Sequence, residues 1–330
     1  MASANKELEL EAELVEAGNK LFDPPSSVDH LLRLLSQVGR CLSKVNQSPT
    51  KSMQNALSPS LNALIADKLM KHSDVDVKVA VASCLIDLTR ITAPDAPYND
   101  RQMKEVLRLI VSSFENLHDK SSRWYAERIL ILEIFAKVRL CAVMLDLECD
   151  ALIAEMFQHF FKSIREHHPE NVFSSMKTIM VLVLEESEDI SLDLLSPILD
   201  SLNKDNEVIS PIARKLGESV LQSCPTKLKS YLRQVAMCSV GNDTVRCAAL
   251  EQAINSLDRQ ISDHLSSKKS VCCNSTAFLS VVDELVSTIE HWSPLSDDKV
   301  VGACLQHQSI GDLRNLLLIN LPPPPQSASL

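Results

Sequence analysis

Five stretches of this chain repeat one layout: a polar or acidic turn, then a helix whose first apolar residue often precedes a cation, then small and branched residues. They are DVDVKVAVASCLIDL around Val77 and Lys78, KSSRWYAERILILEIF around Trp124, ENVFSSMKTIMVLVL around Val172, NEVISPIARKLGESVL around Val208, and NDTVRCAALEQAINSL around Val245 and Arg246. The anchors lie about 36 to 48 residues apart, the period of helix-pair repeats. A further amphipathic helix is predicted before each one, at 61–71, 103–117, 152–166, 192–202 and 228–237. One helix pair cannot bury its apolar face alone, whereas stacked pairs share a continuous core, with the second helices lining a concave side. The expected architecture is therefore all-α, a HEAT/armadillo-type helical-repeat solenoid instead of an ordinary bundle.

Local signals agree with helices throughout. Leu31, Leu34, Leu35, Val38 and Leu42 fall on one helical face, as do Met103, Val106, Leu107, Ile110, Val111 and Phe114. The run IMVLVL at 179–184 could be read as a buried strand, but it continues a helical pattern begun at Phe173. Asn99 followed by Gln102 forms a capping-box pattern. Ser58-Pro59 is predicted to open a helix with proline near its first position, and Asp150, Asp189 and Pro225 mark similar entries. In Asp74-x-x-Val77-Lys78 the acid complements a helix start, and Ala80 and Ala82 permit close helix approach.

Composition narrows the function. The chain has 45% hydrophobic but only 4% aromatic residues and 6 glycines, which disfavours strand-paired folds and phosphate loops. A net charge of −10 disfavours non-specific binding to DNA or anionic membranes. Lys227, Lys229 and Arg233 then read as a solvated face. The 10 cysteines are scattered apart from Cys272-Cys273, and Cys84, Cys141 and Cys247 fall on apolar faces. They read as buried thiols in a reducing compartment, not as a disulfide frame or zinc site. The acidic start MASANKELELEAELVEAG does not read as a signal peptide. The most apolar stretch, 129–147, is broken by Glu133, Lys137, Arg139 and Asp146, so a buried helix or helix pair is expected there and no membrane span.

No phosphate-binding, nucleophile-elbow or metalloprotease motif occurs in the chain. His167 and His168 adjoin each other, with His159 two turns earlier, but adjacent histidines at a helix end are expected to point apart. A cationic role at the helix C-terminus suits them better than zinc. Glu185, Glu186 and Glu188 read as solvated. Trp124 and Tyr125 suit a helix-pair interface better than base stacking. No enzyme and no cofactor are expected. The remaining reading is a scaffold that binds other chains along its surface.

One linker asks for more explanation. In ITAPDAPYND, 91–100, Pro94 ends the preceding helix and biases Ala93 to an extended conformation, and Pro97 does the same to Ala96. An extended segment with few internal hydrogen bonds is predicted. Its free carbonyls and Asp95 could accept hydrogen bonds from a partner, and Tyr98 offers a ring and a hydroxyl. The alternative is a rigid spacer with Tyr98 packed inward.

The stretch CLIDLTRITAPDAPYNDRQMKEVLRLIVSSFENL, 84–117, resembles the amino-terminal region of the cohesin-associated family known as precocious dissociation of sisters. The likeness runs from about residue 20 through SPIARKLGESVLQSCPTKLKSYL to about residue 260. Its most specific element is Ala93-Pro94-Asp95-Ala96-Pro97 with Tyr98. The wording is most similar to the shorter plant members, and the region after about residue 265 departs from the family pattern, so the chain reads as a short or truncated member. The resemblance implies a nuclear, non-enzymatic HEAT-repeat regulator of sister chromatid cohesion, with a role in DNA repair. Its implied partners are the kleisin subunit of cohesin and the cohesin release factor and its antagonists, with chromatin reached indirectly and no membrane. It further implies that Ala93, Pro94, Asp95, Ala96, Pro97 and Tyr98 dock short peptides of the release factor and its antagonists. The competing expectation is a generic HEAT-repeat adaptor, such as a transport or phosphatase scaffold. The expected organisation is an acidic N-terminal helix or cap at 1–24, the solenoid at 25–265, a divergent helical segment at 266–320 and a disordered proline-rich tail at 321–330.

Overall fold

The computed structural model describes residues 2–188, 190–202 and 209–224, all within one compact unit spanning 1–264. Among the described residues the helices are α1 (Ala2–Lys20), α2 (Val28–Leu42), α3 (Lys51–Leu64), α4 (Asp67–Met70), α5 (Val75–Thr92), α6 (Asp100–Ser112), α7 (Tyr125–Lys137), α8 (Leu140–Asp146), α9 (Asp150–Ser163), α10 (Glu170–Glu186), α11 (Leu192–Leu202) and α12 (Pro211–Ser223). No strand occurs among them. The repeat anchors Val208 and Val245 with Arg246, the helix expected at 228–237, the entry points Asp189 and Pro225, the basic residues Lys227, Lys229 and Arg233, Cys247, Cys272 and Cys273, and the segments 266–320 and 321–330 lie outside the described residues.

Side chains close the helix starts as the local chemistry dictates. The Asp74 carboxylate accepts from the Val77 N–H at 3.1 Å, and the Asn99 side chain accepts from the Gln102 N–H at 3.1 Å while Gln102 returns the bond to the Asn99 N–H at 3.4 Å. Ser58-Pro59, however, opens nothing. The helix begins about two turns earlier, where Thr50 accepts from the Met53 N–H at 3.3 Å, and Pro59 lies inside α3. α1 packs tightly over that turn. A methyl group on Gly18 would stand 2.8 Å from the Ser60 nitrogen and 2.9 Å from the Pro59 Cβ. The stretch at 129–147 is a helix pair, α7 and α8, joined at Arg139 in the left-handed region (φ 55°).

The helices form two rows. α2, α5, α7, α10 and α12 stack in succession, while α1 lies on α3 and, further along, α6 on α9 and α9 on α11. The core runs between the rows through Leu35, Leu57, Leu85, Phe114, Phe135, Phe157, Met180 and Leu216, all at most 2% exposed. Phe114 contacts Phe135 edge-on and Phe160 at a tilt, with centroids 6.0 and 5.5 Å apart, linking two consecutive pairs. Hydrogen bonds between neighbouring repeats join residues about one period apart: Cys84 to Leu35 (49), Arg123 to Asp76 (47), Ser163 to Phe114 (49) and His168 to Leu117 (51).

Candidate docking surface

The 91–100 linker is built on the end of α5. Ile91 is fully buried and fixes its root. Arg90 reaches back one repeat, donating from Nη1 to the Val45 carbonyl at 3.0 Å and from Nη2 to the Leu42 carbonyl at 3.1 Å. Its Nε holds the buried Asp87 carboxylate at 2.9 Å. Burial pushes the Asp87 carboxyl above the usual carboxylate range, and Arg90 opposes that rise. The loop between α2 and α3 then braces the linker directly. Gln47 Nε2 donates to the Ala93 carbonyl at 2.7 Å, and the Ser48 N–H donates to the Ile91 carbonyl at 3.1 Å.

Above this base the chain turns. Ala93 is extended (φ −51°, ψ 137°) and the Ala93–Pro94 peptide bond is cis. The Asp95 N–H donates back to the Thr92 carbonyl at 3.0 Å. The segment is therefore a short bend instead of the five-residue extended strip that two X-Pro pairs suggest, because the end of α5 supplies a nearby acceptor. Pro94, Asp95 and Ala96 are exposed, and Ala93, Pro97 and Tyr98 are partly covered. Among the described residues nothing pairs with the Asp95 carboxylate.

Tyr98 is turned inward. Its ring packs on the core and its hydroxyl donates to the Leu61 carbonyl of α3 at 3.0 Å. Burial, with the Cys84 thiol next, pushes the phenol well above its ordinary value. The hydroxyl expected to face a partner is thus spent inside the fold. No local signal announces this, because Leu61 is 37 residues away.

Beside the loop a groove of about 740 Å³ lies between the ends of α3 and α4 and the outer face of α6. It exists because α4 packs on α5, leaving the space toward α6 open. Lys71, Lys78, Arg101 and Arg108 line it, with Asp67 and Glu105. The sequence reading did not pick it out, since these residues come from three helices.

Other singled-out residues serve packing. The His167 and His168 rings face each other with centroids 4.8 Å apart, in the turn between α9 and α10, and do not point apart. His168 Nδ1 accepts from the Arg165 N–H at 3.0 Å and Nε2 donates to the Leu117 carbonyl at 3.1 Å. Burial lowers its pKa, so it is a neutral strut, not the helix-end cation expected from its position. Tyr125 stacks on it at 5.9 Å, and Trp124 is 9% exposed, as an interface role requires. Glu186 is not simply solvated; it pairs with Arg139 of the preceding repeat. Cys84 and Cys141 are buried free thiols. Among the described residues, no three His, Cys, Asp or Glu side chains converge as a metal site would need, and no helix is long and apolar enough to cross a membrane.

This geometry can be set beside known proteins. A family model described as sister chromatid cohesion protein PDS5 protein matches residues 29–267. The chain is 62% identical over 236 residues to sister chromatid cohesion protein PDS5 homolog C of Arabidopsis thaliana, covering 72% of this chain and 27% of that protein. It is 29% identical over 175 residues to the PDS5 protein of Saccharomyces cerevisiae, covering 53% of this chain and 14% of the other. The chain thus spans only about a quarter of the length of the Arabidopsis relative. A solved structure described as the Pds5-Scc1 complex superposes with a TM-score of 0.59 at 23% identity, over 74% of this chain and 40% of that one, which establishes the shared helical-repeat fold. With the family model matching more than half of its residues, the chain belongs to the sister chromatid cohesion PDS5 family.

Proposed function

We propose that this chain is a non-enzymatic scaffold of cohesin regulation in the nucleus, acting in maintenance and release of sister chromatid cohesion and in DNA repair. Its partners are the kleisin subunit, engaged along the solenoid, and short motifs of the release factor and its antagonists, held at the linker after α5. Chromatin is reached through cohesin. Family membership supports the cohesin setting, and the superposed relative was solved in complex with Scc1. The observation that carries the docking site is the contrast within the linker: a base tied to the neighbouring repeat by Gln47, Ser48 and Arg90, and an exposed tip whose Asp95 carboxylate is unspent. A tip held this way loses little conformational freedom on binding. Pro94, Asp95 and Ala96 make the contact; Ala93 and Pro97 set the bend, and Tyr98 anchors it from beneath. The same reading assigns 1–24 to a cap, 25–265 to the solenoid, 266–320 to a divergent helical segment and 321–330 to a proline-rich tail.

The test is a titration of short tiled peptides from the release factor and its antagonists against the 330-residue chain. Asp95→Lys is expected to weaken the binding tile by about tenfold with an unchanged helical spectrum; unaltered affinity removes the loop from the site. Co-precipitation of the chain from nuclear extract tests the scaffold reading. Recovery of a transport or phosphatase complex with no cohesin subunit overturns it.

A further inference from the structure

We propose that the groove between α4 and α6 takes the acidic stretch of a peptide whose other part lies on the Asp95 loop, an inference that rests on the docking role of that loop. Loop and groove are continuous. Asn99, next to Tyr98, lines the groove, and so does Ile65, one turn beyond the Leu61 carbonyl that holds the Tyr98 hydroxyl. A peptide leaving the tip toward α6 enters the groove directly.

The charges choose the occupant. The whole chain carries −10, yet this groove is lined by four cations and two carboxylates. Lys71 is neutralised by Asp67 at 2.9 Å and Arg108 by Glu105 at 2.8 Å, each within its own helix. Among the described residues Lys78 and Arg101 have no carboxylate partner. Asn99 already accepts from the Gln102 amide in the first turn of α6, and the unpaired cations facing the groove are these two side chains: a point charge from Lys78, and from Arg101 a fork that matches a carboxylate. With Asp95 exposed on the loop, the surface is acidic at one end and basic at the other. It therefore fixes the direction of a bound peptide as well as its composition. A nucleic acid suits it less, because a polyanion would meet the field of the whole acidic chain, whereas a peptide with one or two carboxylates meets only the groove.

The experiment uses the full chain and the tiled peptides above, each also made with Gln and Asn in place of its acidic residues. The charge reversal Lys78→Glu with Arg101→Glu is expected to weaken the acidic tile about tenfold and to leave its neutralised counterpart unaffected. Single alanine variants should cost about two- to fivefold each. If Asp95→Lys weakens binding and the groove variants do not, the groove assignment falls while the loop reading survives. If the groove variants weaken binding and Asp95→Lys does not, the loop reading falls and the two-part peptide falls with it. If a single-stranded oligonucleotide binds through Lys78 and Arg101 and no acidic tile does, the peptide assignment is overturned.

Discussion

His168 uses both ring nitrogens inside the fold, one as acceptor from Arg165 and one as donor to Leu117. Its pKa is lowered chiefly by burial, against the opposing bond to the Leu117 carbonyl, with the neighbouring His167 and Arg165 charges adding to the lowering. The sign follows. A folded-state pKa below the ordinary 6.5 means the unfolded chain binds the proton more readily, so the contribution is present above pH 6.5 and is lost as pH falls through the lower folded value. Denaturant midpoints measured across that range should drop in the wild type and drop less in His168→Gln. An equal drop in both would remove His168 as the cause. Tyr98 gives a second residue-scale expectation. Tyr98→Phe keeps the ring and removes only the bond to Leu61, so it should cost about 0.5–1.5 kcal/mol of stability, whereas Tyr98→Ala also opens a cavity and should cost about 3 kcal/mol. A thermal denaturation series that ranks the two equally would contradict the packed position of the ring.

At the scale of elements, the α1–α3 contact is set by the absence of a side chain at Gly18. Gly18→Ala gains about 0.5–1 kcal/mol of helix propensity, but its methyl meets the Ser60 backbone and Pro59 below 3.0 Å. Overpacking of that kind costs about 1–3 kcal/mol and should win, giving a net loss in urea unfolding. Capping is the other lever. Asn99→Ala removes the side-chain acceptor of the box at α6, leaving the bond from the residue-99 N–H to Gln102, and should cost about 1 kcal/mol. These elements also mark what the sequence made legible. The Asn99–Gln102 box and the helical phases of α2 and α6 were readable because their signals lie within a turn or two. Pro59 misled because Ser-Pro imitates a helix start, whereas the residue that caps α3 is Thr50, well upstream of it. His168, Tyr98 and Glu186 misled for a related reason. Their partners Leu117, Leu61 and Arg139 lie 51, 37 and 47 residues away, beyond any local pattern. The groove was invisible in the same way, while the prolines around the exposed Pro94-Asp95-Ala96 tip mark a break between helices, and its docking role came only from the family resemblance and stands as a proposal.

For the molecule as a whole, stability in a row of repeats is a sum of units and the contacts between neighbours. The first unit includes α1, although the family match begins only at residue 29. Leu14, Ala17 and Leu21 are buried by it. Deleting residues 1–21 should therefore uncover the α3 face and lower stability by about 3–6 kcal/mol, the value of two fully buried leucines; an unchanged denaturant curve would show α1 to be a passive appendage. The bracing of the 91–100 linker has a mechanical consequence. Its base is fastened to α5 through the chain, to the loop after α2 through Gln47 and Ser48, and to the end of α2 through Arg90. It therefore spans a joint of the spine in the way a tie rod spans a hinge. Bending at that joint must move the tip, and a ligand gripping the tip must resist the bend. Under the docking role proposed for Asp95, tension applied along the solenoid would then be felt as a change in grip there, with no relay of side chains needed between the two.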